Sequence, residues 1–265
     1  MRIGDVVIQP VSDGTFLARP GYFGAHVPPS AHPELFDRHG AAWLPIGCFV
    51  IRAAVRVVLV DAGMGPDLLD MSGGMQLVGG QLLTGLRAAG VAPGDVTDVV
   101  CTHFHVDHVG WLFDLERRPV FERAALWFGA ADWDHFVDGR GNMRAHIREG
   151  LLAHSDRLRP VRETSPVAPG VTALPAPGHT PGHLCVVVSS GAERALLLGD
   201  AITCPIQLDE ASWHSIGDVD PALADRTRER LWRELEGEQT IGVGAHFPEL
   251  AFGRVLRGEA RRWLT

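Results

Sequence analysis

The chain is poor in several residue types and patterns, and each shortage excludes something. Only one of its 265 residues is tyrosine and only four are cysteine. Cys48, Cys101, Cys185 and Cys204 lie far apart and form no CxxC pair. Three of them sit in apolar stretches ("GCFVI", "VVCT", "HLCVVV"). They read as buried, reduced thiols, which sets aside a disulfide scaffold or zinc held by thiolates. Cys204 stays open, because it closely follows Asp200. No basic run exceeds three residues and the net charge is −8, so the chain is not expected to bind nucleic acid. No apolar stretch approaches the roughly 20 residues of a membrane span. The opening "MRIGDVVIQPVSDG" has no apolar signal core, so a cytoplasmic location is expected. The serine-nucleophile pattern GxSxG is also absent.

What is present suits a large folded core, with 46% of residues hydrophobic. Short apolar runs alternate with amphipathic ones from end to end, and no low-complexity linker interrupts them. Residues 1–265 are therefore read as one α/β domain. "FVIRAAVRVVLVDAG" reads as a strand pair ending at Asp61. "GGQLLTGLRAAGV" has helical spacing, with Leu82, Leu83 and Leu86 on one face and Gly90 as terminator. "VTDVVCT" is a strand, and "AALWFGAADWDHF" a strand entering a helix. "VTALPA", "HLCVVVSS", "RALLLGD" and "TIGVGAH" are strands. "DPALADRTRERLWRELEG" is a helix capped by Asp220 with Pro221 at its first position, and "GRVLRGEARRWL" reads as a closing helix. Residues 16–47, 129–150 and 204–219 look irregular, as lids and substrate walls do.

One cluster stands out. In "VVCTHFHVDHVGW" three histidines and an aspartate fall within six positions directly behind an apolar run. If the strand stays extended, His103 and His105 point to the same side, because strand side chains alternate. Asp107 and His108 follow where the chain turns towards a helix. Neutral imidazole and carboxylate suit a borderline ion such as zinc. Four donors are too few for two ions, but others recur at strand ends: His179 in "APGHTPGH", Asp200 in "LLLGD" and His246 in "VGAH". Taken alone, a strand-end histidine is an ordinary surface or core residue, and a "GD" is commonly a turn. HxHxDH, by contrast, is rarely produced by chance or ordinary packing.

These motifs, in this order, resemble those of the metallo-β-lactamase-fold hydrolases: "THFHVDH", "PGHTPGH", "LLLGD" and "GAHFP", with "VVLVDAGMG" matching the early strand that ends in Asp. The resemblance spans roughly residues 45–255. It implies an αββα sandwich, two central mixed β-sheets flanked by helices, with two metal ions at one edge. Carried over, His103, His105 and His179 hold the first ion, Asp107, His108 and His246 the second, and Asp200 bridges them. The ions are expected to be zinc, with iron or manganese as alternatives. Asp61 is expected to orient the ligands, though a turn-forming Asp is the plainer reading. His183 is a second-layer candidate too, with a turn-capping histidine as its alternative. Two such ions generate a hydroxide near neutral pH, and Asp107 is the expected proton shuttle. The implied reaction is hydrolysis of an activated C–O, C–N, C–S or P–O bond in a small molecule.

The substrate is less sharply written. "VGAHFPELAFGRV" after "ADRTRERLWREL" resembles the C-terminal pattern of lactonases and aryl-phosphotriesterases in the superfamily. The lactonases that act on acyl-homoserine lactones use a tyrosine near the metals after the His179-type motif, and this chain departs from that pattern. Its one tyrosine is Tyr22, which serves only if the N-terminal loop folds across; His214 or a metal-bound water are the substitutes. Trp43, Trp111, Trp133 and Trp213, with Phe23 and Phe36, could line an apolar pocket, Trp111 and Trp213 foremost. Core packing is their plainer role. The leading expectation is hydrolysis of a lactone or carboxylic ester. Its alternatives are an aryl phosphotriester hydrolase, an iron-dependent oxygenase and a scaffold without catalysis. The flavin-coupled di-iron relatives carry Glu where this chain has His105. A homodimer is compatible with exposed aromatic lids.

Overall fold

The computed structural model describes residues 1–265 apart from 25, 140, 211 and 257–261. The first sheet comprises nine strands: β1 (Arg2–Ile3), β2 (Val6–Ala18), β3 (Ala42–Ala53), β4 (Arg56–Val60), β5 (Leu68–Met71), β6 (Met75–Val78), β7 (Asp98–Val100), β8 (Ala125–Gly129) and β9 (Leu158–Val161). They run in the order β5-β6-β2-β3-β4-β7-β8-β9, with β1 attached to β2. The second sheet has the order β10 (Ser165–Ala168), β11 (Val171–Pro175), β12 (Leu184–Ser190), β13 (Glu193–Leu197) and β14 (Thr240–Val243). Both sheets are mixed. β4, β7, β8 and β9 are mutually parallel, as are β13 and β14, while the remaining pairings are antiparallel.

Strand alternation explains the layering. In β3, Phe49 and Ile51 face the second sheet and pack with Val186, Val188 and Leu196. Cys48 and Val50, alternating with them, face the opposite way into a second core with Leu82, Leu86, Ile147 and Leu151. β4 repeats the arrangement, Val58 and Val60 inward and Leu59 outward. A strand buried on both faces reads as an unbroken apolar run, which is why "RVVLV" shows no polar alternation. The outward core lies under the helices Leu82–Ala88 and Ala145–Ala153. The helix Pro221–Leu235 covers the other sheet through Leu231, Trp232 and Leu235. The result is an αββα sandwich.

Several local expectations hold in detail. Asp220 caps its helix by accepting from the Leu223 N–H at 2.9 Å. Gly90, at φ 69°, follows the helix Leu82–Ala88 and its N–H returns to Arg87 O. The closing helix does not form. β15 (Arg254–Leu256) and β16 (Arg262–Leu264) form an antiparallel hairpin, with residues 257–261 outside the described range. Gly253 bridges to Gly242, Val255 pairs with Trp263, and Trp263 packs on Phe247. Val255 is buried and Trp263 partly so against the core, which favours strands beside β14 over a helix. The stretch 16–47 is less irregular than it reads, since its two ends belong to β2 and β3. Among the described residues, no helix is long and apolar enough to cross a membrane.

Candidate metal centre

The parallel strands deliver polar residues to one edge of the sandwich. Asp61 follows β4, the segment Thr102–His108 follows β7, Asp200 follows β13 and His246 follows β14. His179 comes from the turn between β11 and β12. Three groups of donors converge there: His103, His105 and His179; Asp107, His108 and His246; and His103, His108 and Asp200, each with its ligand atoms within 4.8 Å of one another. Of these residues only His105 is more than slightly exposed.

The donor atoms crowd into one cage. His105 Nδ1 lies 3.0 Å from both His103 Nε2 and His179 Nε2. His246 Nε2 is 3.4 Å from Asp107 Oδ2 and 3.4 Å from Asp200 Oδ2. Asp200 spans the two sets, with Oδ2 3.6 Å from His179 Nε2 and Oδ1 3.5 Å from His108 Nε2. Ligand atoms about 2.0–2.1 Å from a tetrahedral zinc lie ~3.3 Å apart, so these spacings suit a divalent ion. His108 Nε2 and Asp200 Oδ1 are buried with no hydrogen-bond partner among the described residues, a cost that a coordinated cation would remove. The donor set therefore fits metal.

A second layer aims the rings. Asp61 sits at φ 62°, a left-handed conformation that aspartate tolerates better than most residues. Its carboxylate accepts from the Thr102 N–H (2.7 Å) and the Thr102 hydroxyl (2.9 Å), and it pairs with His108 Nδ1 (2.9 Å). His246 Nδ1 donates to Pro45 O at 2.7 Å. His179 Nδ1 pairs with Asp218 Oδ1 at 2.9 Å, and Arg228 backs Asp218 at 3.3 Å. Because a carbonyl or carboxylate only accepts, each of these Nδ1 atoms carries a proton and each Nε2 is turned towards the cage. His183 Nε2 accepts from the Asp200 N–H at 3.0 Å, so that ring steadies the backbone of Asp200.

The protein's own charges are arranged for a cation. Burial works against ionisation of Asp107, but His108 and His246 outweigh it and hold the carboxyl at about 2. Asp200 is also driven well below the usual carboxylate range by His246 and His108 against its burial. Burial, together with His179, pushes His105 down to about 3. Burial and the neighbouring histidines push His103 well below 6.5. His103 and His105 are thus neutral imidazoles, while Asp107 and Asp200 are ionised carboxylates beside His108 and His246.

Tyr22 reaches this site from the N-terminal segment. It lines a cavity of about 290 Å³ together with His105, Asp107, His179, Asp200 and His246. The apolar walls include Phe16, Leu69, Met71, Leu77 and Ile216, and Asn142 also lines the cavity. The other pocket candidates lie elsewhere. Trp111 turns its Nε1–H away to Asp13 Oδ1 at 2.9 Å. Trp213 is buried against Phe23 and Phe36. His214 faces Asp225 at 3.1 Å with its side chain 41% exposed. Trp43 is exposed and bonds Asp37, and Trp133 packs on Phe128.

Sequence reasoning passed over Asp218, Ser215, Asp132 and Asp13. Asp132 carried the same signal as Asp61 and Asp200, an acid just past a strand end, and could have been found. Asp13 carried none. It is buried within β2 and accepts from the N–H groups of Met64, Gly65, Gly80 and Leu82 as well as from Trp111, thereby fixing the loop behind Asp61.

The sequence matches the metallo-beta-lactamase superfamily over residues 41–239. The chain belongs to that superfamily, and its relatives and structural neighbours are hydrolases of it. It is 24% identical over 216 residues to the N-acyl homoserine lactonase AiiA of Bacillus thuringiensis subsp. kurstaki, covering 77% of this chain and 81% of that one. It is 32% identical over 176 residues to the metallo-beta-lactamase domain-containing protein 1 of Homo sapiens, covering 66% and 57%. In structure it is similar to AidC, a dizinc quorum-quenching lactonase solved in complex with a product. That likeness has a TM-score of 0.85 at 20% identity, covering all of this chain and 95% of that one.

Proposed function

We propose that the chain is a dinuclear zinc hydrolase of a small neutral ester, a lactone or an open carboxylic ester. In this reading His103, His105 and His179 hold one ion, Asp107, His108 and His246 the other, and Asp200 is shared. The observation that carries it is that Asp200 faces both sets, with one oxygen beside His179 of the first and His246 of the second and the other oxygen beside His108 of the second. Similarity to AiiA and AidC, both described as lactonases, supports the bond type. Two bound divalent ions would supply Lewis acidity, acidifying a water and polarising the scissile carbonyl.

The remaining work falls to the chain's own groups. Asp107 borders the cavity, and its carboxylate can take a proton and return it to the departing oxygen. The Tyr22 hydroxyl accepts a hydrogen bond from Ser215 at 2.8 Å, which leaves its own O–H free to donate. Burial, with Asp200 adding to it, raises the phenol so that it stays protonated. A donor from the N-terminal segment thus answers the missing tyrosine after the His179 motif. Leu69, Met71, Leu77 and Ile216 favour an apolar substituent, and no arginine is among the lining residues described. A neutral substrate follows, because a carboxylate or phosphate away from the ions would find no cation. All four cysteines are buried and unpaired, which agrees with a reducing cytoplasm.

The test is a hydrolysis panel on the zinc-loaded protein: lactones, aryl esters, a thioester, a β-lactam and an aryl phosphotriester, with Asp200→Ala as control. Turnover of the neutral esters, lost in the control, is expected. Preferred turnover of the phosphotriester, or unchanged activity in Asp200→Ala, would overturn the reading.

A further inference from the structure

Asp132 is fully buried and takes part in none of the donor groups. One carboxylate oxygen accepts from the Phe104 N–H at 3.1 Å and the Thr180 hydroxyl at 2.9 Å; the other accepts from the Gly182 N–H at 2.7 Å. Phe104 lies between His103 and His105, Thr180 follows His179, and Gly182 precedes His183. A single carboxylate therefore grips both loops that supply the donors of the first group. Among the described residues it has no such bond to the loop of His246 or to the helix carrying Asp107 and His108.

The backbone is built to bring this carboxylate in. Gly129 and Gly182 meet backbone to backbone: a Cβ on Gly129 would stand 1.7 Å from Gly182 O, and one on Gly182 would stand 2.4 Å from Asp132 N. Neither contact can be relieved by turning a side chain. Two glycines thus let the His179 turn dock on the end of β8, where Asp132 closes the helical turn Ala130–Asp132. Asp61 plays the matching part elsewhere, bonding Thr102 and the ring of His108.

We propose that Asp132 is a positioning residue for one of the two ions: it clamps the 103–105 and 179–183 loops together and so sets the spacing of His103, His105 and His179. The inference rests on the two-ion reading above. It predicts a selective defect, because a carboxylate facing three donors cannot be replaced by an amide. In Asp132→Asn the NH₂ group must face the N–H of Phe104 or of Gly182, so at least one of the three bonds is lost and the grip on the two loops weakens.

The experiment is zinc content per chain and stepwise zinc affinity, by chelator competition, for wild type, Asp132→Asn and Thr180→Val. The melting temperature of each metal-free protein is recorded as a fold control. Wild type is expected to hold two ions. In Asp132→Asn one binding step should weaken about 10–100-fold while the other stays within about twofold, and Thr180→Val should weaken the same step less. If Asp132→Asn fails to fold, Thr180→Val carries the test by the same criterion. Adding Asp132→Asn to His179→Ala should then change nothing further, whereas in His246→Ala it should still weaken uptake. Wild-type affinities in Asp132→Asn, or both steps weakened alike, would overturn the clamp. A wild type that holds one ion would instead overturn the two-ion reading, a separable result.

Discussion

Ser215 donates a hydrogen bond to the Tyr22 hydroxyl at 2.8 Å, joining residues 193 positions apart. The contact fastens the N-terminal segment to the loop after β13 and presents the chain's one phenol to the cavity. If that phenol donates to the oxygen on which charge develops, its value is greatest in the transition state. Tyr22→Phe should lower kcat on the preferred ester by about 10²-fold, with KM and zinc content near wild type. Ser215→Ala should cost about tenfold or less, since it misaims the phenol without removing it. Steady-state kinetics with metal analysis checks both; a Tyr22→Phe kcat within about twofold of wild type would remove the phenol from the mechanism.

Asp218 is the carboxylate behind His179, and Arg228 holds its other oxygen. Their arrangement fixes the ring's tautomer and its tilt. Asp218→Asn can still accept from Nδ1 but loses the charge that pairs with Arg228. Zinc affinity at the His179 end should drop about 10–100-fold. Arg228→Ala should act in the same direction, by releasing Asp218 from its fixed position. Competition against a chromophoric chelator measures the change, and an unaltered affinity in Asp218→Asn would show that the ring is held by packing alone.

The legible parts of this molecule are those where one short-range rule decides the outcome. β3, β4 and β7 are buried on both faces, so their apolar runs are visible without any partner. His103, His105, Asp107 and His108 are crowded closely enough that packing gives no account of them. The illegible parts depend on what lies across the fold. Nothing local marks Tyr22 as a cavity residue, because its partner Ser215 is at the far end of the chain. Trp111, two positions past Val109 beside the metal loop, invites a pocket role, yet a buried acceptor on β2 draws its indole away. Nothing local marks Arg254–Leu256 and Arg262–Leu264 as strands either; they pair with each other beside β14, where Gly253 bridges to Gly242.

His108 makes the metal-free protein sensitive to alkali. Its Nδ1 is held by Asp61 at 2.9 Å, and its Nε2 faces Asp200 Oδ1 at 3.5 Å and Asp107 Oδ2 at 3.7 Å. Burial alone would lower this imidazole, but Asp61 and then Asp107 and Asp200 raise it to about 9. An unfolded histidine titrates near 6.5. Between those values the folded chain holds a proton that the unfolded chain has lost. The stabilisation is therefore complete below pH ~6.5 and disappears as pH rises through about 9. Its size is on the order of 3 kcal/mol, roughly 5–10 °C in melting temperature for a chain of this length. A bound ion takes the ring's lone pair in place of the proton, so the zinc-loaded protein should not share the decline. Melting curves at pH 6.5, 7.5, 8.5 and 9.5, with and without chelator, compare the two directly. Asp61→Asn removes the first of the raising charges and should flatten the metal-free curve. Parallel declines in the metal-free and zinc-loaded proteins would mean that His108 is not where proton and metal compete.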